Sequence, residues 1–329
     1  MSNEGFHRQR YGHEFFAVVA STLLISLCSI AVASDQRVPT SRTGPSSGST
    51  DKAANDIHSL SFPAETILRE SREVDSVRAT RSRQQQFTHR IIHIRNWHFL
   101  PKDLFAAEFR QINGASAKQS AIDEAYQEFL GEVESVQAEQ IRLLRRLIRK
   151  HGLKTVYYEG LIEDELPLYR AKIRSLRQLE KSLSEIKFNI QELELLRMEF
   201  QQSAEENSAR IKNITQIELK LKRVLKDYQS DLLQIGAAGR LLMSGELKDV
   251  RPLDTHSGLE QSNPRAADGS LRRVSARTIE SREDAQVRYL LKSSGTAVVI
   301  LGGAHDLTNN VDRLSNGKCQ YVRVTTRNQ

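Results

Sequence analysis

Two histidines and a glutamate, far apart in the chain, stand in matching local settings. His98 ends Arg95-Asn96-Trp97-His98, Glu159 follows Val156-Tyr157-Tyr158, and His305 ends Gly302-Gly303-Ala304-His305. Each comes just after a short apolar run. Two imidazoles and a carboxylate can bind a divalent metal and leave positions open for water or substrate. Such a metal lowers the pKa of its bound water and generates a nucleophile near neutral pH. Without a metal, Glu159 and one histidine form a general acid–base pair. The spacing matches no short zinc pattern such as H-E-x-x-H, so the idea rests on where the backbone places these residues. A structural histidine in a strand–helix turn is the other reading of His305.

The elements that must do the placing are strands. Ala297 to Leu301 is an unbroken apolar run stopped by Gly302 and Gly303. That pattern predicts a strand buried on both faces, as in a parallel sheet. His89 to Ile94 and Lys154 to Tyr158 predict two more, and Cys319 to Thr325 a last one. Between the first two, Ser120 to His151 carries apolar residues at three-and-four spacing, with acids crowded early and bases late. It reads as a long helix stopped by Gly152. Strand, helix, strand makes parallel neighbours, so His98 and Glu159 should share one sheet edge. In open α/β sheets that edge is where ligands bind. The fold class is therefore α/β, a mainly parallel sheet flanked by helices.

Residues 163–245 differ in character. Ile173, Leu176, Leu179, Leu183, Ile186, Ile190 and Leu193 step by three and four, and after a polar break near Ser203 to Ser208 a second such series runs from Ile211 to Leu232. Two long antiparallel helices are expected, a coiled-coil-like hairpin inserted in the α/β domain. It covers the sheet or mediates self- or partner association. Residues 249–277, with two prolines and two glycines, read as surface loop, and Ser281 to Ser293 as helix.

The ends of the chain suggest an address. Arg8 and Arg10 precede the uncharged stretch 15–34, which includes Ala31-Val32-Ala33, an A-x-A cleavage pattern. Residues 1–33 are expected to be a signal peptide or, uncleaved, a membrane anchor through 15–33. Export, periplasmic or secreted, follows. Residues 34–86, rich in Ser, Thr, Pro, Gly and Arg, are expected to be a disordered linker before an α/β domain at 87–329. Arg72, Arg78, Arg81, Arg83 and Arg90 cluster there and read as a solvated face. The 329-residue chain has a net charge of +7 but no aromatic-interleaved basic stripe, which argues against a nucleic-acid partner. With Cys28 removed by cleavage, Cys319 is alone and forms no internal disulfide.

Gly302-Gly303-Ala304-His305 and Val156-Tyr157-Tyr158-Glu159-Gly160 resemble the superfamily of Tiki, TraB/PrgY, ChaN-like haem-binding proteins and erythromycin esterase. Its members share an early strand ending in a G-x-x-H-type motif, a strand followed by Glu, and a late strand ending in a second G-x-x-H. The early motif departs here, because Arg95 stands at the glycine position of Arg95-Asn96-Trp97-His98. An arginine upstream of the final strand is also similar, as Arg282 in Ser281-Arg282-Glu283-Asp284. The resemblance implies an exported peptidase- or esterase-like hydrolase. His98, Glu159 and His305 would be metal ligands; Glu159 and Arg282 would be catalytic, Arg282 steadying an anionic intermediate or orienting Glu159. The alternative it implies is a protein that binds haem or a peptide without turnover. Trp97, Phe99, Tyr157 and Tyr158 beside the site would stack on a flat ligand or simply pack.

Overall fold

The computed structural model describes residues 68–69, 71–80, 87–202, 204–263, 272–293 and 295–328. The signal or anchor segment, and most of the expected linker, lie outside them. Among the described residues no helix is long and apolar enough to cross a membrane.

The strands are β1 (Val74–Ala79), β2 (His89–Asn96), β3 (Thr155–Tyr158), β4 (Asp249–Pro252), β5 (Thr296–Gly302) and β6 (Cys319–Thr326). They form one sheet in the order β1-β6-β2-β5-β3-β4. All neighbours pair parallel except β1, which runs antiparallel to β6 at the edge. All seven residues of β5 are buried, as a strand with helices over both faces must be. Alternate side chains divide between two cores. Ile92, Ile94, Val298, Ile300, Val322 and Val324 pack on one side, and Ile91, Val299, Leu301 and Tyr321 on the other.

The helices among the described residues are α1 (Lys102–Asn113), α2 (Gln119–His151), α3 (Leu166–Gln201), α4 (Ala204–Ser244), α5 (His256–Ser262), α6 (Ala276–Leu290) and α7 (Thr308–Ser315). α2 ends where its sequence says it should. Gly152 takes φ 65° and donates its N–H back to Ile148 and Leu147 carbonyls, the left-handed cap that glycine allows without strain. Buried Gln140 of α2 donates to the Arg95 carbonyl at 2.8 Å and to Asn96 Oδ1 at 3.2 Å. The helix thereby holds the end of β2, just upstream of His98.

α3 and α4 connect β3 to its parallel neighbour β4. Ile173, Leu176, Tyr228, Ile235 and Met243 make a shared core between them. α4 is bent at Gly236, which has φ 66° and ψ −174°. A β-carbon there would collide with the Tyr158 hydroxyl. Tyr169 Oη donates to the Ile235 carbonyl at the bend at 3.0 Å, satisfying an acceptor that the bend releases.

Two expectations of coil are corrected. Val74–Ala79, inside the stretch 34–86, is strand β1; Val74 and Val77 are buried against the sheet and supply the driving force. Asp249–Pro252, inside the expected loop 249–277, is strand β4, with only alternate residues buried. Arg78 and Arg90, expected on a solvated linker, accordingly stand on strands β1 and β2.

Candidate functional site

The carboxyl ends of β2, β3 and β5 lie side by side, and the residues that follow them meet. Glu159 is buried, with 6% of its side chain exposed. His98 Nε2 lies 3.2 Å from Glu159 Oε2, and His305 Nε2 lies 3.2 Å from Glu159 Oε1. Arg282 Nη2 donates to Oε1 at 2.9 Å, and the Gly302 N–H donates to Oε2. The three residues singled out in the sequence therefore converge, with Glu159 at their centre. Gly302 makes this convergence physically possible. A β-carbon on it would stand 2.5 Å from His98 Nε2 and 3.1 Å from Glu159 Oε2.

Arg282 is positioned by a residue that sequence reasoning missed. Its Nε and Nη2 donate to the two oxygens of Asp254 at 2.7 and 2.8 Å. The Asp254 side chain is fully buried. It also accepts from Gln286 Nε2 and from the Gly160 N–H, each at 2.8 Å. A paired fork of this kind is the strongest geometry an arginine offers a carboxylate. It aims the second N–H of Nη2 at Glu159. Asp254 comes two residues after β4, so finding β4 in Val250-Arg251-Pro252 would have placed it at the same sheet edge as Glu159.

The contacts of His305 place both of its protons. Both nitrogens of His305 face carboxylates, Nε2 that of Glu159 and Nδ1 that of Glu283 at 2.8 Å. Carboxylates only accept, so both nitrogens carry protons. Burial alone would depress the pKa of His305, but the hydrogen bonds and charges of Glu159 and Glu283 raise it to about 9. Glu159 shows the reciprocal effect. Burial works to raise its pKa, and the hydrogen bonds from His305 and His98 hold it well below the carboxylate range. His98 differs from both. Its Nε2 is committed to Glu159, but 53% of its side chain is exposed.

A further histidine, unremarked in the sequence, lies behind the site. His93 on β2 is fully buried. Its Nε2 donates to the Leu301 carbonyl at 3.0 Å, and its Nδ1 accepts from Tyr321 Oη at 2.6 Å. Burial lowers its pKa to about 4, so it is neutral.

Among the described residues, no group of three or more His, Cys, Asp or Glu side chains is arranged to hold a metal ion. The reason is local. Each oxygen of Glu159 already accepts two hydrogen bonds, and the histidines approach opposite oxygens. As these side chains stand they bind one another and do not fit around a shared ion.

No protein-family model, curated protein or solved structure matches this chain.

Tyr157 packs edge-on against Tyr289 at 5.9 Å, and Tyr158 stacks on Tyr169 at 6.5 Å, so both are packing residues. Trp97 is 42% exposed and stays available to a ligand. Arg95, at the departing position of the early motif, turns away from Glu159. Its Nη1 donates to Thr325 Oγ1 at 3.2 Å and its guanidinium lies over Gly303. A cavity of about 500 Å³ between α5 and α6 is lined by Asp254 and Arg282 but by none of His98, Glu159 and His305. It lies on the Asp254 side of Arg282 and does not reach His98.

Proposed function

We propose that this corner is the active centre of an exported hydrolase that activates water by general base catalysis. The observation that carries the reading is the half-exposed His98 ring with Nε2 on buried Glu159. Glu159 fixes the tautomer and orientation of His98 and stabilises the imidazolium that forms, the role a buried carboxylate plays behind any catalytic imidazole. His98 Nδ1 takes a proton from water, the hydroxide adds to the substrate carbonyl, and the same proton passes to the leaving group. Arg282, His305 and the Gly302 N–H keep Glu159 ionised. Arg282 is held by Asp254 and only 11% exposed, so its part is orienting Glu159 rather than meeting an intermediate. A peptidase- or esterase-like activity accords with the resemblance to the Tiki, TraB/PrgY, ChaN-like and erythromycin esterase superfamily.

A metal-dependent version of this site requires both histidines to release Glu159. The haem- or peptide-binding alternative uses the same edge without turnover. α3 and α4 are read as a coiled-coil-like hairpin covering the sheet; exposed Phe188, Leu195, Met198 and Leu219 would give it a face for association.

The test is hydrolysis of a series of p-nitrophenyl esters by the purified mature chain. His98→Ala should lower the rate by ~10²-fold or more, the usual scale for a general base. Equal rates in wild type and His98→Ala would remove His98 as the base.

A further inference from the structure

A second cluster lies beside the first, across the Gly302-Gly303 pair. Arg95 of β2, Arg323 of β6 and Arg78 of β1 come from three adjacent strands. Arg323 is the register partner of both Arg78 and His93, and Arg95 lies two residues beyond His93 on the same face. The guanidiniums of Arg95 and Arg323 both close on Gly303. A β-carbon there would meet Arg95 Nη2 at 3.0 Å, and Arg323 Nη2 donates to the Gly303 carbonyl.

Three cations this near one another need a counter-charge, and the described residues supply little. Among the described residues, the acid paired with the cluster is Asp306, 3.4 Å from Arg323 Nη1. Asp306 also accepts from the Thr308 N–H and hydroxyl. Arg95 has Thr325 as its side-chain partner, a neutral hydroxyl. Among the described residues, the buried Nε atoms of Arg95 and Arg323 have no hydrogen-bond partner, so each keeps a donor that an oxyanion or a water can take. Burial and then the charges of Arg323 and Arg78 depress the Arg95 pKa, so the cluster repels itself.

We propose that Arg95, Arg323 and Arg78 form a binding subsite for an oxyanion, a carboxylate or phosphate, that seats an anionic group of the substrate next to Glu159 and His98. Guanidiniums match such planar and tetrahedral oxyanions through paired N–H groups. The subsite shares the carboxyl edge of the sheet with the catalytic corner, where a ligand of an open α/β sheet lies. It gives the departure from the early glycine motif a purpose, since Arg95 brings the guanidinium that faces Gly303. The assignment of the anion to a substrate rests on the hydrolase reading; the existence of the subsite does not.

The test is titration of the full chain with inorganic phosphate and, separately, with sodium acetate, followed by calorimetry. Arg95→Gln should weaken binding about tenfold, the loss of one charge-assisted contact. Arg78→Gln, on an exposed side chain, gives the same readout without disturbing packing. Tighter phosphate points to a phosphorylated substrate, and tighter acetate to a carboxylate. Binding of neither, or equal binding by wild type and both variants, overturns the subsite. Binding of an anion by a chain that hydrolyses no ester keeps the subsite and removes the hydrolase; hydrolysis without anion binding does the reverse.

Discussion

His93 and His305 end up in opposite chemical states, one on β2 and the other just past the end of neighbouring β5. His93 sits among neutral partners, and burial lowers its pKa to about 4. His305 is also largely buried, yet two carboxylates raise its pKa to about 9. Burial penalises the charged form in both cases. What separates them is whether a negative charge shares the burial. A carbonyl and a tyrosine hydroxyl make a structural histidine; Glu159 and Glu283 make a fixed cation. The Glu159 corner stores a charged imidazole, and the His93 pocket keeps its ring neutral.

The change that breaks this contrast most severely is Glu159→Gln. It removes the charge that orients His98 and holds His305 protonated, while keeping the shape. Ester hydrolysis should fall by roughly 10³–10⁴-fold, the scale seen when a buried carboxylate behind a catalytic imidazole is neutralised. The His305 pKa should fall as well, and the His93 pKa much less, read from histidine ring signals in a pH titration by NMR. A variant of near wild-type activity would sink the dyad.

Gly302→Ala attacks the same corner from the backbone. The added methyl would stand 2.5 Å from His98 Nε2, and the half-exposed ring is free to swing away. Glu159 Oε2, 3.1 Å from the new methyl, must also give by a few tenths of an ångström, so the chain should fold with a modestly lowered melting temperature. Hydrolysis should fall by ~10²-fold, because a displacement of about 1 Å at a catalytic group has that effect. A collapse of stability instead would mean that His98 cannot yield, and that the corner is part of the core.

The two histidines should also divide the pH dependence of stability. His305 starts near 6.5 in the unfolded chain and reaches about 9 in the folded one. Between these values the folded chain holds the extra proton, so its contribution is full below pH 6.5 and is lost as pH rises towards 9. His93 starts near 6.5 and falls to about 4. There the unfolded chain binds the proton first, so stability is present above pH 6.5 and is lost as pH falls towards 4. Each arm is worth on the order of 3 kcal/mol. Urea denaturation across this range should show His305→Gln flattening the alkaline arm and His93→Gln the acidic one. Flattening of the same arm by both would end the distinction.

Much of this corner was legible because strand ends are legible. The apolar run before Gly302 and the helix between His89 and Tyr158 put His98, Glu159 and His305 on one edge with no geometry in hand. Asp254 was not legible, because β4 is only four residues long and ends in a proline, too little for periodicity to register. Glu283 stands beside Arg282 in the sequence, but its contact with His305 is a tertiary one. His93 read as an ordinary strand residue in His89 to Ile94, since its partner Tyr321 is 228 residues away. Nearby spacing reveals strands and helices; which polar groups they bury together depends on contacts that no local pattern carries.

The smallest change tests whether the two regions are separate at all. His93 bonds the carbonyl of Leu301, and Tyr321 Oη, its other partner, accepts from the Leu307 N–H at 3.3 Å. Those two contacts bracket residues 302–306, the turn that carries Gly302 and His305. The neutral histidine is thus part of a clamp on the segment that presents the charged one. Tyr321→Phe removes the hydroxyl alone, leaving His93 Nδ1 and the Leu307 N–H without their partner. An unmade buried hydrogen bond costs about 1–2 kcal/mol, which should lower the melting temperature by roughly 2–6 °C. If the clamp only adds stability, ester hydrolysis stays within about threefold of wild type, because no group of the Glu159 corner is touched. If it sets the position of the turn, hydrolysis falls as far as in Gly302→Ala, and the contrast between the two histidines is one of charge alone and not of function.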